Sequence, residues 1–357
     1  MSDESTVLVR TEGRIGRITL NRPKAINAIT HEMVLEIDAA LRKWADDDAV
    51  EAVLLDGTGE RGLCAGGDIV AIHRDATLSA TLDDAIASPT GKFWYDEYIL
   101  NAYISHYPKP YIALMDGIVM GGGVGVSAHG NTRIVTDRTK MAMPEVGIGF
   151  APDVGGTYLL AEAPGEIGTY LALTAAQING ADAVAIGFAD HYLPAEKIDD
   201  FTSALTTRPV ADVITEFCIE PPASGLLAKQ RWIDDAFAAD TAVEIVERLR
   251  GHDESDAHDT ANVVASKSPT SVEVTVRSLR EITSETTLET ALETEYRVSI
   301  HFLVHHDLAE GIRAQVIDKD RSPKWSPPSL TAVEKADVDA FFAPVPKALV
   351  LTNGVQA

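Results

Sequence analysis

Cysteine is nearly missing from this chain. Cys64 and Cys218 are the only two in 357 residues, so no disulfide framework holds the fold, and a reducing cytoplasm is the expected compartment. Basic residues are also in short supply: Lys and Arg total 30 against 54 Asp and Glu, a formal charge of −24. That balance argues against general binding to nucleic acid or to an anionic membrane surface. It leaves an anionic small ligand open, because local donors outweigh net charge at short range. No apolar run is long enough to cross a bilayer. The start, Met1-Ser2-Asp3-Glu4-Ser5-Thr6, has neither an apolar signal core nor an Arg-rich transit pattern. No short period recurs, which excludes a repeat array.

What is present is an ordinary globular composition, 45% hydrophobic and 24% charged, on a chain long enough for two domains or for one with a large extension. Val7 to Arg10 and Arg14 to Leu20 read as paired strands around Glu12-Gly13. Thr30 is a helix N-cap, and Met33, Val34, Ile37, Leu41 and Trp44 recur at helical spacing. Ala52-Val53-Leu54-Leu55 is a buried strand leading into Leu63-Cys64-Ala65-Gly66-Gly67-Asp68. Residues 75–91 read as a polar, irregular loop, followed by a helix from Lys92 to His106. Helices are expected at 164–173, 180–187 and 195–205, with a strand near Asp190-His191-Tyr192. Beyond Arg208 strand signals fade. Ser268-Pro269 starts a helix facing inward through Val272, Val276 and Leu279. Leu288, Ala291, Leu292 and Tyr296 mark another, and a short helix near 333–341 precedes a loose tail. The expected organisation is an α/β catalytic domain over residues 1–205 and a mainly helical region over 206–357.

The chemistry gathers between Pro110 and Gly156. A buried strand, Tyr111 to Met115, leads through Asp116-Gly117 to Gly121-Gly122-Gly123-Val124-Gly125, where a short helix should start and then stop at a left-handed Gly130. Glycine bends after two buried strands, at Gly66-Gly67 and at Gly121-Gly122-Gly123, can turn one amide each toward a single oxygen. Each can equally be a tight strand-to-helix connection. Gly123, Gly125 and Ala128 also fit a dinucleotide-binding G-x-G-x-x-A with Asp137 as its acid. That acid, however, comes well short of the ~20-residue spacing the fingerprint shows. Glu145 and Asp153, flanked by Val146, Ile148, Phe150 and Val154, form a carboxylate pair; buried together they would titrate as a unit. The plainer alternative has Asp153 capping a helix from Val154. His252, Asp253, Asp256, His258 and Asp259 imitate a metal cluster but read as a solvated linker. Cys64 packs as a small hydrophobe, and His305-His306-Asp307 starts a helix.

Asn21-Arg22-Pro23-Lys24-Ala25-Ile26-Asn27-Ala28, Cys64-Ala65-Gly66-Gly67-Asp68, Gly121-Gly122-Gly123 and Pro144-Glu145 together resemble the crotonase (enoyl-CoA hydratase/isomerase) superfamily. The resemblance implies a spiral of ββα units that binds acyl-CoA thioesters. It also implies that the amides of Gly67 and Gly122 form the oxyanion hole. Lys24, Ala25 and Ile26 would run along the CoA moiety, with Ala65 and Asp68 beside the substrate. Hydratases of the superfamily carry a glutamate where this chain has Gly125, and glycine where it has Asp153. Glu145 with Asp153 is instead similar to the 3-hydroxyisobutyryl-CoA hydrolase subfamily. Asp96-Glu97-Tyr98-Ile99-Leu100-Asn101 and Asp307-Leu308-Ala309-Glu310-Gly311-Ile312-Arg313-Ala314 extend that likeness over nearly the whole chain. The subfamily implies thioester hydrolysis in valine breakdown, with Glu145 as nucleophile or base, Asp153 binding the 3-hydroxyl and Glu97 lining the acyl pocket. It requires no metal or redox cofactor, coenzyme A being part of the substrate. The alternative is an enoyl-CoA hydratase or isomerase reaction. The quaternary state, a homo-oligomer included, stays open.

Overall fold

The computed structural model describes residues 5–351. Residues 1–4 of the acidic start and residues 352–357 of the expected tail lie outside the described residues. The chain forms two compact units interleaved along the sequence. Of the described residues, the first takes 5–67, 99–142 and 177–227, and the second takes 68–98, 143–176 and 228–351.

The first unit holds all nine strands found among the described residues: β1 (Val7–Glu12), β2 (Ile15–Leu20), β3 (Ala52–Gly57), β4 (Tyr111–Met115), β5 (Ile118–Met120), β6 (Thr132–Thr136), β7 (Lys140–Ala142), β8 (Ile178–Asn179) and β9 (His191–Leu193). One sheet runs β1-β2-β3-β4-β6-β9 and a second β5-β7-β8. β1 and β2 pair antiparallel, Val7 opposite Leu20. Every later pair in the first sheet is parallel, such as Ile112 opposite Thr132. Parallel strands need crossovers and cover on both faces, which is why β3 and β4 read as unbroken apolar runs. The chain steps from the first sheet to the second at Gly117, whose φ of 64° and closeness to the Arg61 carbonyl (2.7 Å from an added Cβ) only glycine accepts. It makes the same step from β6 to β7, and the reverse step from β8 back to β9. Ile15, Leu54, Ile112, Leu114 and Ile134 fill the core with Phe201, Leu205 and Val213 from two helices. The helix His31–Ala45 forms as its pattern dictates: the Thr30 side chain accepts from the Met33 amide, and all five expected apolar positions are buried.

Gly130 differs from expectation. The helix in the glycine run spans only Gly122–Gly125, and Gly130 is not among the left-handed residues. Glycine is needed there for space, since a Cβ would lie 2.5 Å from the Tyr111 ring.

The regular elements of the second unit are helical. Its first surprise is residues 75–91, expected as a loop. Helices Ile69–Leu78, Leu82–Ala87 and Pro89–Ser105 follow almost without a break. Buried Asp75 closes the gap, accepting from the Thr90 amide at 2.9 Å and its hydroxyl at 2.7 Å; a capping box at Thr81 and Asp84 starts the middle helix. The region expected as an acidic linker is also helical. Ala242–Gly251 gives way to Ser255–Ala265, and His258 Nε2 donates to the His252 carbonyl at 2.7 Å. No group of acidic, histidine or cysteine side chains suited to a metal occurs among the described residues. Pro269–Glu281, Leu288–Leu303, His306–Ile312 and Lys335–Phe341 form where expected. Up to residue 351 the tail is not loose: Leu349 and Leu351 are buried, and the Leu351 amide donates to Glu293 at 2.6 Å.

Candidate active site

The two glycine bends meet within the first unit. The segment after β3 lies along β5: the Cys64 amide donates to Ile118 O and the Met120 amide to Cys64 O, both at 3.0 Å. A Cβ on Gly66 would lie 3.3 Å from Met120 O and 3.8 Å from the Gly122 nitrogen, and one on Gly123 would lie 2.7 Å from Cys64 O. The contact therefore excludes a side chain on Gly123, and at Gly66 the left-handed φ of 108° disfavours one as well. Gly122 opens a helix, where the first amides lack an intrahelical acceptor. Among the described residues neither the Gly67 nor the Gly122 amide has an intramolecular acceptor. Two unsatisfied donors on touching bends form a ready site for a developing oxyanion.

The Lys24–Ile26 segment joins the same bend. Pro23–Ala25 is a single 3-10 turn ended by left-handed Ile26, φ 49°, whose carbonyl accepts from the Ala65 amide at 2.9 Å. Lys24 and Ala25 are exposed, as a ligand-facing loop requires. Fully buried Asn27 fixes the loop from below, donating to Thr58 O at 3.0 Å and accepting from the Arg22 amide at 2.8 Å. Arg61 donates to the carbonyl of Lys24 at 2.6 Å. Asp68 caps the Ile69–Leu78 helix, its side chain accepting from the Ala71 amide at 3.5 Å.

Glu97, Glu145 and Asp153 all lie in the second unit, 2%, 5% and 6% exposed, so solvated caps they are not. Glu145 opens a 3-10 turn, Glu145–Ile148, that reverses at Gly149, φ 75°. A Cβ on Gly149 would sit 2.0 Å from the Asp307 carbonyl oxygen, and one on Gly311 2.3 Å from the Ile148 carbonyl carbon. The turn is thus wedged directly onto the backbone of His306–Ile312. Phe150 stacks on Trp94 at 5.2 Å and meets Phe302 edge-on at 5.5 Å.

Asp153 does not cap a helix from Val154. Val154 and Gly155 are both left-handed, φ 56° and 79°, and the helix begins at Gly156. A β-branched residue in that region costs on the order of 1–3 kcal/mol and persists only where its surroundings hold it. Glu295 supplies the hold, accepting from Gly155 N at 2.6 Å, Thr157 N at 2.8 Å and Thr157 Oγ at 2.5 Å. The Asp153 carboxylate so placed accepts from the Tyr98 hydroxyl at 2.7 Å, and Tyr98 meets Ser299 Oγ at 2.9 Å.

Burial dominates the electrostatics. It pushes the Asp153 carboxyl up to about 7 against the opposing Tyr98 hydrogen bond. Burial first, and the Asp153 charge second, hold Glu145 well above the usual carboxylate range, and the same two causes in the same order act on Glu97. Glu295 rises to about 8 by burial, opposed by the donors of Thr157 and Gly155. Tyr98 is raised so far by burial and by Asp153 that it stays a neutral donor. Glu145 Oε2 and Glu97 Oε1 are buried without a hydrogen-bond partner. A carboxyl near neutrality beside one with a free oxygen can give and take protons at physiological pH.

Tyr98 is legible in the sequence only as part of the 96–101 motif, with no role assigned, and Glu295 and Ser299 are not singled out there at all. Glu295 and Ser299 are 4% and 1% exposed and one turn apart on Leu288–Leu303. A glutamate and a serine inside the stripe marked by Leu292 and Tyr296 were the available signal.

Residues 15–342 match the family model described as Enoyl-CoA hydratase/isomerase. The chain is 40% identical over 350 residues to a mitochondrial 3-hydroxyisobutyryl-CoA hydrolase of Danio rerio, covering 95% of this chain and 90% of that one. It is 38% identical over 347 residues to the Homo sapiens protein of the same description, covering 94% and 88%. Among solved structures, a carnitinyl-CoA dehydratase from Mycobacterium thermoresistibile is 52% identical with a TM-score of 0.93, covering 98% of this chain and all of that one (100%). An enoyl-CoA hydratase from Rhodobacter sphaeroides is 40% identical with a TM-score of 0.90, covering 97% and 100%. The α/β fold with its helical C-terminal region is therefore the crotonase-like one. Paired glycine bends, a buried glutamate after Pro144 and these likenesses over nearly the full length lead to one conclusion: the chain belongs to the enoyl-CoA hydratase/isomerase family.

Proposed function

We propose that this protein hydrolyses 3-hydroxyisobutyryl-CoA, or a related short 3-hydroxyacyl-CoA, to the free hydroxy acid and CoA, as a step of valine catabolism. The observation that carries the proposal is Asp153, a buried carboxyl bonded to Tyr98 whose charge helps to raise Glu145, in a chain whose residue 125 is a buried glycine. The Gly67 and Gly122 amides hold the thioester oxygen and stabilise the tetrahedral oxyanion. Ionised Glu145 attacks the carbonyl carbon to give a mixed anhydride, or activates a water that does so. The C–S bond breaks and the thiolate takes a proton from Asp153. In the anhydride route, water then cleaves the anhydride, freeing the hydroxy acid, and one of its protons returns to Asp153. Asp153 also binds the 3-hydroxyl, Glu97 lines the acyl pocket, and Lys24 to Ile26 with Ala65 and Asp68 contact the CoA ester. Acyl transfer between a thioester, a carboxylate and water needs no electron carrier or Lewis acid, so no cofactor is assigned.

Hydration of an enoyl-CoA is the second reading, favoured by the description of the Rhodobacter sphaeroides relative. With glycine at 125 it would rest on Glu145 alone. Both reactions are read in one experiment, a panel of CoA thioesters followed for free thiol and for enoyl absorbance. Thiol release from 3-hydroxyacyl-CoAs supports the hydrolase; loss of enoyl absorbance without thiol overturns it. Neither cysteine forms a disulfide, which suits a reducing compartment such as the cytoplasm, although the relatives named above are described as mitochondrial. No helix among the described residues is long and apolar enough to cross a membrane.

A further inference from the structure

Glu145 and Asp153 are the same chemical group in different surroundings. Asp153 Oδ2 receives the Tyr98 hydroxyl at 2.7 Å. With that proton committed, the 2.9 Å contact between Tyr98 and Ser299 has Ser299 as donor, which polarises Tyr98 further. Glu145 Oε2 is buried and receives nothing. A donor stabilises an ionised carboxylate, whereas a buried oxygen without one favours the neutral acid. We propose that Tyr98, backed by Ser299, makes Asp153 the member of the pair that ionises first and leaves the remaining proton on Glu145. The inference rests on the catalytic pairing proposed above and adds a step to it. Turnover begins with transfer of that proton from Glu145 to Asp153, which makes Glu145 the nucleophile or base and Asp153 the acid at once. The proton then resides on Oδ1, the oxygen Tyr98 does not engage. Tyr98 and Ser299 are positioning residues.

The other groups that act on Asp153 do not reverse this order. Glu97 and Glu295 are carboxyls whose charge would only oppose ionisation of the pair, and Tyr98 remains neutral.

The test reads the Asp153 proton directly, by infrared titration of the full chain labelled with carboxyl-13C aspartate and assigned by subtraction of D153N. Y98F is expected to raise the midpoint of the Asp153 band by about one pH unit, the scale of one hydrogen bond to a charged group. S299A should raise it by less, in the same direction, without emptying much volume; it decides the matter should Y98F fail to fold. Unchanged midpoints in the folded variants overturn the proposal. Thiol release by E145Q and D153N is measured alongside. If the midpoints move while both variants keep wild-type rates, the proton order stands and the hydrolytic reading of the pair falls.

Discussion

Glu295 accepts the amide of Gly155 at 2.6 Å across 140 residues of sequence. Through that bond, a helix far along the chain sets the turn that follows Asp153. The same region reaches Glu145 as well, since Gly149 and Gly311 allow His306–Ile312 to touch the Glu145 turn backbone to backbone. The C-terminal helices therefore build both carboxylate turns.

Replacing Glu295 by alanine should leave two amides and a hydroxyl buried without an acceptor. Each orphaned donor costs about 1–3 kcal/mol, so a clear fall in Tm is expected. At a temperature where the variant is folded, kcat should fall with little change in KM, because the turn that aims Asp153 loosens. E295Q keeps an acceptor for Thr157 but presents an amide N–H₂ to Gly155, so its loss should lie between alanine and wild type. Paired thermal melts and steady-state thiol release check the ranking.

Removing the Glu145 charge acts on the chemistry itself. E145Q should lower kcat for thiol release by roughly 10²–10⁴ while CoA-ester binding, read by calorimetry, is retained. Single turnover of the wild type in heavy-oxygen water then separates its roles: label in the Glu145 carboxylate marks the anhydride.

Asp153 has a stability signature of known sign. Its carboxyl is raised in the folded chain from 3.8 to about 7, so between those values the folded state binds more protons than the unfolded one. Its contribution is most favourable below the lower value and is lost as pH rises through the upper one. D153N, which still offers Tyr98 an acceptor, should be more stable than wild type at pH ~8, with a flatter stability profile from ~4 to ~7. Its thiol release should drop more for 3-hydroxyacyl-CoAs than for acyl-CoAs lacking the hydroxyl. Equal losses would remove the hydroxyl contact from its role.

The parts of this site legible in sequence were those built from local signals. Glycine bends after apolar runs at Gly66 and Gly122, the Thr30 and Ser268 caps and the apolar face of His31–Ala45 each need only a few neighbouring residues. Residues 75–91 misled because a polar stretch reads as loop until the Asp75 carboxylate, fifteen residues from Thr90, supplies the missing cap. Val154 misled because helix propensity carries no information about a left-handed turn held by a distant glutamate. The Asp307–Ala314 motif was visible, but its purpose was not. Asp307 accepts from Ser268 Oγ at 2.6 Å and from the Ser326 amide at 2.8 Å, and Glu310 receives the Arg313 guanidinium at 2.8 and 2.9 Å. These bonds tie His306–Ile312 to the segments around Ser268, Arg313 and Ser326.

The glycine bends give the sharpest steric prediction. In G123A the new Cβ would lie 2.7 Å from the Cys64 carbonyl oxygen and 2.9 Å from Cys64 Cβ. The nearer atom is backbone and cannot swing aside, so the two bends must separate. Overpacking of this kind costs typically ~1–3 kcal/mol. Losing one oxyanion donor costs ~2.7–4 kcal/mol of transition-state stabilisation, or 10²–10³ in kcat. G123A should therefore lose activity out of proportion to its fall in Tm. Gly251 is the matched control: it ends the Ala242–Gly251 helix with nothing within 4 Å of an added Cβ. G251A should keep full activity and match or exceed wild-type stability, alanine being favoured in a helix by up to ~1 kcal/mol. If G123A released thiol at the wild-type rate, the contact between the bends would have no part in holding the oxyanion, and the assignment of Gly67 and Gly122 would fail with it.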